Sequence, residues 1–157
     1  MLTLFGSICF GQDLVQKNET VIFSFTTKNK KEVAIVKNNA NNKVFYRFGT
    51  KAKSEFQFPA TNSKPSQKLT YSFYLRGGGV ANEGMELNYV YFINDNFQYI
   101  IYDTYYSVDN RQNIGVKVID LKTKKTSDIQ GDIKTRKGTL TDFRDNKLLD
   151  IGEQLFE

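Results

Sequence analysis

The sequence predicts an all-β protein, an antiparallel meander of about eight or nine strands closing as a barrel or a sandwich. Three observations carry that expectation. The 157 residues include 13 Phe and 9 Tyr, and with the β-branched residues this bias suits half-buried pleated strands better than helices. From residue 20 onward, apolar and polar residues alternate in short runs. Asn, Lys, Gly and Pro separate the runs, as turns between consecutive antiparallel strands require. A chain of this length buries a sizeable core as one domain without disulfides or metals, and residues 12–157 read as that single β domain.

In chain order, Met1 to Gly11 comes first as an uncharged apolar run with small residues at Cys9 and Gly11. It reads as the remnant of a secretory signal peptide cut before Gln12. Thr20 to Thr27 places Val21, Phe23 and Phe25 on one face, and Lys28-Asn29-Lys30 turns it into Glu32 to Lys37. Lys43 to Phe48 aligns Val44, Tyr46 and Phe48 and leads through Gly49-Thr50-Lys51 into Ser54 to Phe58, which Pro59 stops. A polar loop over residues 60–68 precedes Leu69 to Arg76, where Tyr71, Phe73 and Leu75 share a side. After a glycine-rich loop, Met85 to Ile93 and Phe97 to Tyr106 form the central hairpin across Asn94-Asp95-Asn96, residues that tolerate left-handed backbone. Ile114 to Leu121 and Thr126 to Gln130 pair across Lys122-Thr123-Lys124. Gly138 to Phe156 has no clean period and reads as a short helical turn or a closing strand.

Composition excludes several function classes. With no histidine, the chain lacks the usual general base near neutral pH, the Ser-His and Cys-His dyads and the commonest transition-metal ligand. Neither catalysis nor a metal or other cofactor is expected. The net charge of +5 is spread along the chain, with its tightest groups at Lys28-Asn29-Lys30-Lys31, Lys122-Thr123-Lys124-Lys125 and Lys134-Thr135-Arg136-Lys137. Nucleic-acid binders concentrate such charge on one element, so these groups read as solvated turns or as a docking patch for an acidic partner. No run approaches the roughly 18 apolar residues of a membrane-spanning helix.

The most distinctive segment is Leu75 to Gly84, in which Gly77, Gly78, Gly79 and Gly84 permit positive φ or close backbone approach. It lacks the Gly-Lys-Ser/Thr of a phosphate loop and leads into a strand rather than a helix. It reads as a bulged hairpin connection or as a binding loop presenting Arg76, Asn82 and Glu83. Glu83, Glu86, Asp95 and Asp103 have no spacing that pairs them as a glycosidase acid and nucleophile. Tyr89, Tyr91, Tyr99, Tyr102, Tyr105 and Tyr106 cluster in and beside the central hairpin. Alternation puts Tyr89 and Tyr91 on one face and Tyr99 opposite Tyr102, so some point outward unless both faces are covered. Outward tyrosines stack on sugars or anchor protein interfaces.

Tyr46-Arg47-Phe48-Gly49, Phe56-Gln57-Phe58-Pro59, the glycine-rich loop, Tyr99-Ile100-Ile101-Tyr102 and Gly115-Val116-Lys117-Val118 together resemble a group of small exported bacterial β proteins. The resemblance spans residues 20–130, and the group is similar to periplasmic lysozyme inhibitors and to immunity proteins against cell-wall-degrading toxins. It implies a periplasmic or secreted binding protein without catalysis of its own, which inserts Arg76, Gly77, Gly78, Gly79, Asn82 and Glu83 into an enzyme's cleft, with Tyr102 and Tyr105 beside them. The Ser-Gly-x-Tyr motif of lysozyme inhibitors is absent, and a basic chain suits an acidic toxin or hydrolase better than a basic lysozyme. The alternative is an envelope module holding a glycan or other acidic polymer on tyrosines and lysines.

Overall fold

In the computed structural model, which describes residues 13–156, the alternation resolves into two sheets stacked as a sandwich. The signal-peptide segment and Cys9 lie outside the described residues. The first sheet contains β1 (Glu19–Thr26), β2 (Glu32–Asn38), β3 (Val44–Thr50) and β4 (Lys53–Phe58) as a meander. The second contains β5 (Thr70–Arg76), β6 (Met85–Asn94), β7 (Phe97–Tyr106), β8 (Arg111–Asp120) and β9 (Thr126–Gln130) as another. Two short strands complete the sheets: β10 (Lys137–Gly138) pairs antiparallel with β1, and β11 (Asp150–Ile151) pairs parallel with β5.

The turns follow the chemistry of their residues. Lys30, Asp95 and Lys124 take φ of 65°, 53° and 62° at the three predicted hairpins. Asp120 accepts from the backbone N–H groups of Lys122 and Thr123, which draws its carboxyl below the ordinary value. The β3–β4 turn falls at Lys51-Ala52 rather than Gly49-Thr50-Lys51, because Gly49 and Thr50 still pair with Ser54 and Lys53. β8 begins at Arg111, three residues before the apolar run, because Arg111, Gln112 and Asn113 extend the ladder to Tyr106, Tyr105 and Thr104. The segment after Gly138 holds both alternatives, a 3₁₀ turn at Leu140–Arg144 and the closing strand β11.

The core lies between the sheets. Phe23, Phe25, Val33, Ile35 and Tyr46 from the first sheet meet Tyr71, Val90, Phe92, Ile101 and Val116 from the second, with Leu140 and Phe143 closing one end. Phe92 carries stacked rings on both sides, Phe58 at 4.1 Å and Tyr99 at 4.9 Å between centroids.

Both outer faces are also partly covered, so parity alone does not set exposure. Over the first sheet, Leu14 packs on Ala34, Val36 and Phe45, while its carbonyl accepts from Arg47 at 2.8 Å. Arg47 also forms a two-pronged pair with Glu19 at 2.5 and 2.7 Å, both side chains at most 2% exposed. Over the second sheet, residues 152–156 run across the face, and Phe156 packs edge-on against Tyr89 and Tyr91. At the sheet edges, backbone bonds from Lys28 to Gln130 and from Asp132 to Thr26 join the end of β9 to the end of β1.

Candidate functional site

The glycine-rich segment links Arg76 of β5 to Met85 of β6, which face each other across the ladder. Gly78 and Gly79 at φ of 93° and 57° fold it into a 3₁₀ turn, Val80–Asn82, closed by Glu83 in the left-handed region. Asn82 Nδ2 donates to the Gly77 carbonyl at 2.8 Å, Gly84 N to Gly79 O at 2.8 Å, and Ser107 N to Gly84 O at 2.8 Å. The result is a hydrogen-bonded knob rather than an open arm. Gly77, Gly78, Gly79, Asn82 and Glu83 are exposed on it. Arg76 is half-buried, with Nη2 3.4 Å from Met85 Sδ and Nε without a hydrogen-bond partner.

Exposed apolar side chains gather beside the knob. Phe73, Tyr74, Leu75 and Val80 are 37, 39, 57 and 64% exposed, and Val108 on the adjoining turn is 61% exposed. β11 pairs only with Thr70 and Tyr71, so from Phe73 to Arg76 the outer edge of β5 has no strand partner among the described residues. Alternation had placed Phe73 and Leu75 with Tyr71 on one side. They share that face but lie at the sheet margin, where the opposite sheet does not bury them.

Tyr102 and Tyr105 fall on opposite faces of β7, as neighbours of odd separation must. Tyr102 is buried over Gly115, where a Cβ would come within 2.3 Å of the tyrosine hydroxyl. Its hydroxyl donates to Asp128 at 2.8 Å, and burial followed by that bond raises its pKa. Tyr102 lines a groove of about 720 Å³ on the outer face of the second sheet, bounded by Phe156 on one side and by Lys28, Lys30 and Ile133 on the other.

Tyr105 instead lines a cleft of about 480 Å³ between the second sheet and residues 136–144, where the inner face of β6 changes from Val90 and Phe92 to Glu86 and Asn88. Arg144 reaches Glu86 at 2.6 Å and Asn88 at 3.0 Å and donates to the Tyr71 hydroxyl at 3.3 Å. Tyr71 in turn donates to Asn88 at 2.5 Å, and its pKa is raised by burial against the pull of Arg144. Asp103 is 6% exposed and pairs with Arg136 at 3.0 Å. Burial raises its pKa, opposed by Arg136 and by the Leu140 N–H.

Tertiary structure thus brings Glu86 and Asp103 into one cleft, while Glu83 and Asp95 stay at turns. Each cleft carboxylate is tied to an arginine, an arrangement that pins residues 136–144 to the second sheet. Arg144 carried no functional signal in the sequence, and Arg136, read there as part of a basic turn or docking patch, instead pairs with Asp103. The polar pair Glu86 and Asn88 on an otherwise apolar parity was the one available sign. Among the described residues, no group of three or more metal-ligating side chains converges, and no helix is long and apolar enough to cross a membrane. Comparison with known proteins finds no family model, no curated protein and no solved structure that matches this chain.

Proposed function

We propose that this is an exported, non-catalytic binding protein that docks a protein partner at the free edge of β5 and the adjoining glycine-rich knob. In this reading the partner is an acidic cell-wall hydrolase or toxin, blocked in the manner of an inhibitor or immunity protein. One observation carries the proposal: the exposed run Phe73, Tyr74 and Leu75 lies on a strand edge that is unpaired among the described residues and continues to Val80 at the knob. An unpaired edge offers backbone donors and acceptors to an added strand, and alternate side chains give that addition its specificity. The knob's internal bonds keep it ordered before docking, which lowers the entropy cost of association. The +5 charge favours encounter with an acidic partner.

The test is a pull-down from bacterial envelope extract with the chain from Gln12, run beside the double variant Leu75→Lys with Val80→Asp. The expected result is one captured hydrolase, inhibited by the parent chain and released by the variant, whose thermal midpoint stays unchanged. Capture that survives the double variant, or no captured protein at all, would overturn the docking surface.

A further inference from the structure

The groove over the outer face of the second sheet has a lining unlike the β5 edge, and no residue of β5 or the glycine-rich knob contributes to it. Four cations line it, Lys28, Lys30, Arg111 and Lys117, against two carboxylates, Asp128 and Asp132, leaving a surplus of two positive charges. Lys30 and Lys117 make no ion pair among the described residues. Lys117 rests over the Tyr102 ring with its Nζ 5.9 Å from the centroid, so its charge stays in the groove. Arg111 lies 4.7 Å over the Tyr106 ring and pairs with Asp109, which is not part of the lining.

The remaining polar groups suit hydroxyls rather than a second dense charge. Thr104, Gln112 and Asn113 line the groove together with the cations and offer both donors and acceptors, and Thr104 and Gln112 also border the Glu86–Asp103 cleft. Asp128 accepts from Tyr102 through Oδ1, which leaves Oδ2 for a ligand hydroxyl. Tyr106 and the small exposed part of Phe156 are the apolar groups of the lining. The volume of about 720 Å³ falls in the range of small-ligand sites. A polyphosphate chain, with only a bridging oxygen between successive charges, would set its charges against Asp128 and Asp132, whereas an oligouronate separates its carboxylates by whole sugar rings that present hydroxyls to those two side chains.

We propose that this groove is a binding site for an acidic oligosaccharide, with Lys30 and Lys117 taking carboxylates and Thr104, Gln112, Asn113 and Asp128 taking hydroxyls. The site is independent of the protein-docking edge, so either surface stands or falls without the other.

The experiment is an amide chemical-shift titration of the full chain with trigalacturonate, alongside maltotriose and inorganic phosphate as separate probes. Saturable shifts at Asn113, Asp128 and Gln130, which line this groove and not the Glu86–Asp103 cleft, are expected with trigalacturonate only. Affinity should fall about tenfold in Lys117→Gln and comparably in Lys30→Gln, and should weaken as added salt shortens the screening length. Both lysines are outside the core, and the same spectra report whether each variant keeps its fold. Equal shifts from maltotriose, saturation by phosphate alone, or no saturable shift in the groove would each overturn the assignment.

Discussion

Glu19 and Arg47 show how much one residue's context decides. Arg47 alternates with Tyr46 and Phe48, so it faces away from the sandwich core. The fold covers it with Leu14 and the Phe45 ring and gives its guanidinium Glu19, the Leu14 carbonyl and Gln57 as partners. A buried pair adds little net stability over an apolar replacement, but removing one member strands the other. Glu19→Gln should therefore cost about 3 kcal/mol in urea unfolding. Replacing both residues with apolar side chains should cost much less, and equal losses in the single and double variants would exclude the uncompensated charge as the cause.

At the scale of elements, the segment after β11 does more than end the chain's path through the second sheet. Gly152 N bonds to Tyr71 O at 2.7 Å, Ser72 Oγ donates to Gln154 O at 2.5 Å, and Phe156 fills the space beside Tyr89 and Tyr91. This strap explains why outward Tyr89 on β6 is buried and Tyr91 half-buried. Phe156→Ala should destabilise the protein by about 2 kcal/mol, below the cost of a central core aromatic because the site is at the surface layer and can relax. Amide exchange should quicken at β5 and β11 while the centre of β7 stays protected. Loss of protection spread equally over both sheets would mean the strap acts on the whole fold.

Across the whole molecule, the cleft of Glu86, Asn88, Asp103, Arg136 and Arg144 fastens residues 136–144 to the second sheet, while β10 fastens them to the first. Stability therefore depends on the protonation of Asp103, whose carboxyl burial raises above the ordinary value. The folded state holds that proton more tightly than the unfolded chain does. This group's contribution thus grows as pH falls through the raised value and is lost as pH rises through it. Compared with Asp103→Asn, the parent chain should gain relative stability as pH falls from neutrality toward the ordinary aspartate value, read from urea midpoints. A relative loss over that interval would mean that the Arg136 pair outweighs burial.

Strand existence, the three hairpin turns at Lys30, Asp95 and Lys124 and most face assignments were legible in the sequence because they depend on close neighbours. The β3–β4 turn, by contrast, is displaced to Lys51-Ala52, and a bulge in β1 turns Val21 out of the face predicted for it with Phe23 and Phe25. Phe23 and Phe25 share the core face that alternation assigns them, and the stacking of the sheets places Val90, Phe92 and Ile101 there with them. The chain's lack of histidine and its spread positive charge were likewise sequence facts. What alternation could not reach were contacts between residues far apart in the chain: Phe156 over Tyr89, Leu14 over Phe45, Arg144 on Glu86, and Lys28 beside Gln130. The predicted tyrosines illustrate the division. Period two separated Tyr102 from Tyr105, but only the stacking of the sheets and the path of residues 152–156 decided which face became a groove and which became a cleft. Local pattern sets the elements, because it acts through the backbone of each strand. Burial and charge pairing belong to the tertiary structure, because they depend on which surfaces the closed sandwich brings within a few ångströms.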